Sequence, residues 1–203
     1  QRLSRGLGDV YKRQLKKQIS PDNLSVFRVA YPAAFETLVR RKCELVGLDP
    51  SLIWAIMRQE SAFAIRALSW ASAQGLMQII PRTGRKIAEA LNKESYDVSM
   101  LRTPDTSVEF GSWYFAELLK KFSGHPALAI ASYNAGPQAV TRWVDARPGI
   151  ATDEFVEEIP YKETRHYVKK VLSNYSVYRE LNAPDGLVLP QQIPTTYLDN
   201  INF

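Results

Sequence analysis

What most restricts this chain is the rhythm of its apolar residues. From Tyr31 onward they recur at three- and four-residue spacing in successive blocks, and no block shows the sustained alternation of a half-buried strand. The blocks are separated by short turns rich in Pro, Gly and Asn, and two of them open with a capping residue followed by proline, Asp49-Pro50 and Thr103-Pro104. A proline in the first helical position lacks only an N–H that the helix could not have used, so such pairs mark helix starts. The expectation is an all-α chain.

The spacing predicts a first helix over residues 33–46, with Phe35, Leu38, Val39, Cys43 and Val46 on one stripe, stopped by Gly47. A second begins after Asp49 and runs through Leu52, Ile53, Ile56 and Met57 to Glu60. A polar, small-residue stretch leads into Gly75, a helix follows from Pro81 to about Leu91, and a linker ends at Thr103. The helix over 104–122 buries Val108, Trp113 or Phe115, Leu118, Leu119 and Phe122. A short apolar helix over 127–134 breaks at Gly136-Pro137, and another runs to about Asp145. The last, over 162–181, puts Tyr167, Val171, Tyr175 and Tyr178 on one face. Residues 183–203, with Pro184, Pro190 and Pro194, read as an extended tail able to drape over a core.

Composition narrows the chemistry. At 203 residues and 45% hydrophobic, the chain can bury a sizeable core. One cysteine excludes a disulfide framework, and with two histidines it leaves too few ligands for a structural zinc site. No cofactor is expected, and no apolar run reaches the length of a membrane-spanning helix. The net charge of +5 suggests nucleic acid until it is located: residues 1–17 hold six of the 26 basic residues and one of the 21 acidic ones, leaving 20 against 20 elsewhere. The body is neutral, so nucleic acid is not an expected partner. The run from Arg5 to Gln14 resembles a translated sequencing adapter, so residues 1–14 are expected to be non-native and 15–30 to be a linker from a missing upstream region.

Three places stand out. Glu60 lies seven residues after Ile53, four after Ile56 and three after Met57, on the apolar stripe of its helix, where desolvation favours the neutral carboxyl and suits it to general acid work. An ordinary glutamate on an amphipathic helix is surface decoration, but the stripe position argues against that here. In the GLMQ run at 75–78, Gly75 lets a backbone approach a ligand and Gln78 offers both donor and acceptor to a sugar or amide. Tyr133 and Asn134 stand at the closing end of the short apolar helix. Each of the last two motifs alone has a bland reading as a turn or a cap.

Together the QES run at 59–61, GLMQI at 75–79, SYNAGP at 132–137 and IPYKETR at 159–165, with Tyr167 and Val168 beyond it, resemble the motif series of the soluble lytic murein transglycosylases, the family-23 glycoside hydrolase type. The resemblance covers about residues 31–181. It implies a lysozyme-like helical domain, akin to goose-type lysozyme, over residues 31–182. Its substrate would be peptidoglycan glycan strands, which places it in the periplasm or cell envelope. Carried over by position, Glu60 matches the single catalytic acid, which protonates the glycosidic oxygen between N-acetylmuramic acid and N-acetylglucosamine and then deprotonates the muramoyl C6 hydroxyl. Ser69, Gln78 and Tyr133 match positions that contact sugar or support the acid, Glu163 a groove acid, and Tyr167 an aromatic near the site. Ser61 and Asn134 match supports of the loop and the acid.

The chain departs from the family at Ser72, where a glycine is usual ahead of GLMQ, at Ile80, where Met or Leu is common, and at His166, which replaces a frequent Gly. Two alternatives stay open. A hydrolytic muramidase of the same fold would need a second carboxylate, with Glu163 the suspect, because Asp97, Asp105 and Glu109 sit at helix starts where the dipole already explains them. A non-catalytic peptidoglycan-binding scaffold would gain nothing from a glutamate on an apolar stripe.

Overall fold

The computed structural model describes residues 19–183 and 187–201, so the amino-terminal segment expected to be foreign lies outside the described residues, as does Pro184. The elements are α1 (Leu24–Ala30), α2 (Glu36–Val46), α3 (Pro50–Glu60), α4 (Pro81–Ala90), a 3-10 turn η1 (Val98–Arg102), α5 (Pro104–Lys121), α6 (Pro126–Ala135), α7 (Pro137–Ala146), α8 (Thr152–Glu158) and α9 (Lys162–Asn182). Among the described residues there is no strand, only isolated antiparallel bridges, and no helix is long and apolar enough to cross a membrane. The chain divides into two units, residues 34–117 and residues 19–33 together with 118–201.

In residues 34–117 the central element is α3. Asp49 caps it, its carboxylate accepting from the Ser51 N–H at 2.9 Å, and Pro50 occupies the first turn. Every residue from Ser51 to Met57 is buried, so the helix has no solvent face over nearly two turns and must be wrapped by its neighbours. α2 supplies one of them, packing Val39 and Cys43 inward. Burial pushes the Cys43 thiol up to about 12, which leaves it an inert core group. The indole of Trp54, itself fully buried, donates to the Ala34 carbonyl at 2.9 Å. The stretch predicted to be a linker after α4 contains η1, capped by Asp97 and packed on α4.

The second unit repeats this plan. Ala127 to Ser132 of α6 are all buried, and α6 packs against both α7 and α9. Tyr167, Val171, Tyr175 and Tyr178 line the buried face of α9, as their spacing predicts. α8 and α1 also lie on α9. Neither was legible: α8 has only seven residues, too few to display a period, and α1 buries none of its side chains, so its sequence carries no stripe. The tail is extended, with Leu187, Leu189, Ile193 and Ile201 buried. It is fastened at Lys121, where the Leu198 N–H donates to the Lys121 carbonyl at 2.8 Å and the ammonium returns a bond to the Leu198 carbonyl at 2.7 Å.

A second fastening involves His125, which precedes α6. The Thr152 hydroxyl gives its one proton to the Pro190 carbonyl at 2.6 Å, so it can only accept from His125 Nε2 at 3.1 Å. The ring is therefore neutral with its proton on Nε2, and burial holds its pKa down to about 4. Because the folded value lies below the unfolded one of about 6.5, the unfolded chain binds more protons between them. The contribution is complete above about pH 6.5 and is lost as pH falls towards 4, amounting to about 3 kcal/mol. Melting temperatures measured from pH 7 to 4 are expected to fall more steeply for the native chain than for His125→Gln; parallel profiles would contradict the assignment.

Candidate active site

Glu60 is the last residue of α3, half-buried where the wholly buried part of the helix gives way to a loop. Ser61 ends the helix and ties the loop to it. Its hydroxyl donates to the Leu76 carbonyl at 2.8 Å, and the same oxygen accepts from the Phe63 N–H at 3.1 Å. Ser61 thus ties the end of α3 directly to the GLMQ run.

The GLMQ run is fixed from beneath by residues that sequence reading passed over. Gly75 has φ +76°, and a β-carbon there would collide with the Leu101 carbonyl oxygen and come within 2.9 Å of Ser107 Oγ. The backbone approach that Gly75 permits is therefore to η1 and α5 of the chain itself. Met77 donates its N–H to Ser107 Oγ at 3.1 Å, and its side chain fills the space over Gly111, where a β-carbon would come within 2.6 Å of it. Ser107 and Gly111 are small residues one helical turn apart in a helix that otherwise reads as structural. That spacing of small residues is the signal of close approach that could have found them.

Gln78 departs from its sequence reading in one respect. Its amide nitrogen donates to both the Ala67 carbonyl, at 3.1 Å, and the Gly75 carbonyl, at 2.9 Å. With both amide protons held by the loop, the side chain can present only its oxygen to a ligand. Ser69 braces the same loop, its hydroxyl oxygen accepting from the Ala73 N–H at 3.0 Å. Ser72, standing where the family favours glycine, adopts φ +63°, the left-handed conformation in which glycine is at ease.

In the other unit, Tyr133 and Asn134 occupy the carboxyl end of α6. The Asn134 amide oxygen accepts from the Thr164 hydroxyl at 2.6 Å, joining the end of α6 to the first turn of α9. That turn also holds Glu163, which is exposed, and one turn on lies Tyr167, which is buried; His166 faces solvent. The structure thus places Glu60, Ser61, Ser69, Gly75 and Gln78 in one unit and Tyr133, Asn134, Glu163 and Tyr167 in the other.

The remaining acids considered above have structural partners. Hydrogen bonds from Ser99 hold the Asp97 carboxyl below the usual carboxylate range. Asp105 pairs with Arg41 and Lys42, and Glu109 with Lys42 and Lys93. No group of three or more His, Cys, Asp or Glu side chains among the described residues could hold a metal ion.

An all-α chain in which a buried helix ends in a glutamate and runs through a hydrogen-bonded loop into a GLMQ run has the architecture of a lysozyme-like domain. The family is shown by direct comparison: the transglycosylase SLT domain matches residues 38–156, the soluble lytic transglycosylase helical domain matches residues 158–182, and the chain belongs to the transglycosylase SLT family. It is 36% identical over 151 residues to the soluble lytic murein transglycosylase of Salmonella typhimurium, covering 73% of this chain and 23% of that protein. Against the membrane-bound lytic murein transglycosylase C of Actinobacillus pleuropneumoniae the identity is 34%, over 66% of this chain and 42% of the relative. The chain therefore spans about a quarter of the soluble relatives' length. Among solved structures, an inactive glutamate-to-glutamine mutant of the lytic transglycosylase Slt from Pseudomonas aeruginosa superposes with a TM-score of 0.73 at 34% identity, covering 94% of this chain and 30% of that one. The 70-kDa soluble lytic transglycosylase of Escherichia coli gives 0.75 at 31% identity, over 86% and 28%. The fold is all-α and lysozyme-like, as in these structures.

Two substitutions test how the loop is held. Gly75→Ala drives a β-carbon into backbone and is expected to lower stability by about 3 kcal/mol or more. Ser72→Gly, which relieves a left-handed serine at the expense of added freedom in the unfolded chain, should be neutral or stabilising by up to about 1 kcal/mol. Chemical denaturation of both variants reads the pair, and the opposite ordering would refute this account of the loop.

Proposed function

We propose that this chain is the catalytic domain, residues 31–182, of a lytic transglycosylase that cleaves the β-1,4 bond between N-acetylmuramic acid and N-acetylglucosamine in peptidoglycan without water. The observation that carries the reading is the placement of Glu60. It ends a helix whose residues Ser51 to Met57 are all buried, and it stands half-buried at the edge of that core, where a carboxyl can meet a substrate while being partly shielded from water, the placement a general acid requires. The inactive glutamate-to-glutamine form of the P. aeruginosa relative fits a family with one indispensable carboxyl.

In the first half-reaction Glu60 gives its proton to the glycosidic oxygen, and the bond from that oxygen to muramoyl C1 breaks. In the second, the Glu60 carboxylate takes the proton of the muramoyl C6 hydroxyl as that oxygen bonds to C1. The ring closes to a 1,6-anhydro end and the acid is restored, so no second carboxylate is needed to position water. Ser61 and Ser69 brace the acid's loop, and Gln78 offers its amide oxygen to a sugar hydroxyl or N-acetyl N–H from the segment anchored by Gly75. Tyr133, Asn134, Glu163 and Tyr167 are assigned to substrate contact and its support on the family resemblance. Such an enzyme works where peptidoglycan is, in the periplasm or cell envelope.

The test is mass spectrometry of the fragments released from purified peptidoglycan, with Glu60→Gln alongside. The native chain is expected to release anhydro-muropeptides, one water lighter than reducing-end products, and the variant to be slower by about a thousandfold. Reducing-end products would make the chain a hydrolase and turn attention to Glu163. Binding without release by either protein would make it a scaffold.

A further inference from the structure

Trp70 is 98% exposed. An indole can bury about 150–250 Å² of largely apolar surface, and one left wholly in water is a feature that wants a partner. It is also held on a rigid mount. The Ser72 N–H donates to the Ser69 carbonyl at 3.0 Å, which makes Trp70 and Ala71 the central residues of a β-turn. Ser69 closes the turn twice more, its N–H donating to the Ala73 carbonyl at 2.9 Å and its hydroxyl oxygen accepting from the Ala73 N–H at 3.0 Å. Below it, the Gly75 N–H and the Gln78 amide both donate to the Ala67 carbonyl, at 2.9 and 3.1 Å. The same loop is joined to the end of α3 by Ser61, so the indole and Glu60 ride on one braced segment.

The surroundings indicate the chemistry of the partner. Between Ser61 and Ile80 the only charged residue is Arg66, while Ser69 and Ser72 set hydroxyls on either side of the turn. An anionic membrane surface would call for a cluster of cations. A neutral aromatic face with the Ser69 and Ser72 hydroxyls and the exposed Leu68 beside it suits a pyranose: the C–H bonds of the ring carry partial positive charge towards the π face and an apolar neighbour, and its hydroxyls and N-acetyl groups find neutral hydrogen-bonding partners at the edge.

We propose that Trp70 is a glycan platform, its indole stacking on one sugar ring of a peptidoglycan strand and fixing the strand relative to Glu60. The proposal rests on the transglycosylase reading for the identity of the glycan. It makes Trp70 a determinant of substrate grip that lies outside the four motifs.

Because the side chain packs on almost nothing, Trp70→Ala and Trp70→Tyr are expected to melt with the parent. In a Glu60→Gln background, co-sedimentation with purified sacculi should weaken about tenfold for Trp70→Ala and stay within about threefold for Trp70→Tyr, which keeps an aromatic face. With Glu60 intact, soluble peptide-free glycan strands should show the loss in KM, by about tenfold, with kcat within about twofold. Undiminished sacculus binding by Trp70→Ala overturns the platform, as does a Trp70-dependent attachment to phosphatidylglycerol vesicles with sacculus binding unaffected. If product analysis gives no anhydro ends while Trp70 still governs sacculus binding, the reaction proposed above fails and the platform stands.

Discussion

Everything near Glu60 depends on a helix that is buried from Ser51 to Met57. Seven consecutive residues of α3 are buried, so the helix is stabilised by what surrounds it and by little else. The buried part of such a helix cannot slide inside its wrapping without opening cavities, and its half-buried last turn continues directly from it. That is where the carboxyl stands. The other unit follows the same rule: α6 is buried through six residues and delivers Tyr133 and Asn134 at its end. In both cases polar, chemistry-bearing residues appear just where a buried helix reaches the edge of its core.

The loop after α3 shows how a short motif becomes a fixed surface. Leu76 and Met77 are fully buried and anchor it by packing, while Ser61, Ser107 and the Gln78 amide anchor it by hydrogen bonds. The backbone pays in conformation, with Ala62, Phe63, Ser72 and Gln78 all at positive φ without being glycine. Residues in that region persist only where the surroundings dictate them, and here each lies within the braced segment beside the acid.

Much of this was legible in the amino-acid order. The Asp49-Pro50 pair marks the start of α3, and the α9 stripe of Tyr167, Val171, Tyr175 and Tyr178 is buried as its spacing requires. These signals are local, arising from capping geometry and helical period. What escaped was set by contacts distant in sequence. The glycine in GLMQ suggests room for a ligand, yet its neighbour is the carbonyl of Leu101, and the donors of Gln78 are taken by its own loop. α1 and α8 are too short or too exposed to announce themselves, and the family motifs passed over Trp70 because its exposure is a property of the folded chain.

The division of the chain has a consequence for how it is made. Residues 34–117 form one uninterrupted stretch, whereas the second unit gathers residues 19–33 and 118–201, closing contacts as distant as that between Pro32 and Tyr178. A ribosome therefore delivers the acid-bearing unit whole while its neighbour still lacks α6, α9 and the strand-like tail that seats Lys121. Over that interval residues 19–33 lack the partners they meet in the folded chain, so the second unit can close only after residues well beyond 118 have been made, whereas the unit carrying Glu60 draws all its contacts from one continuous stretch.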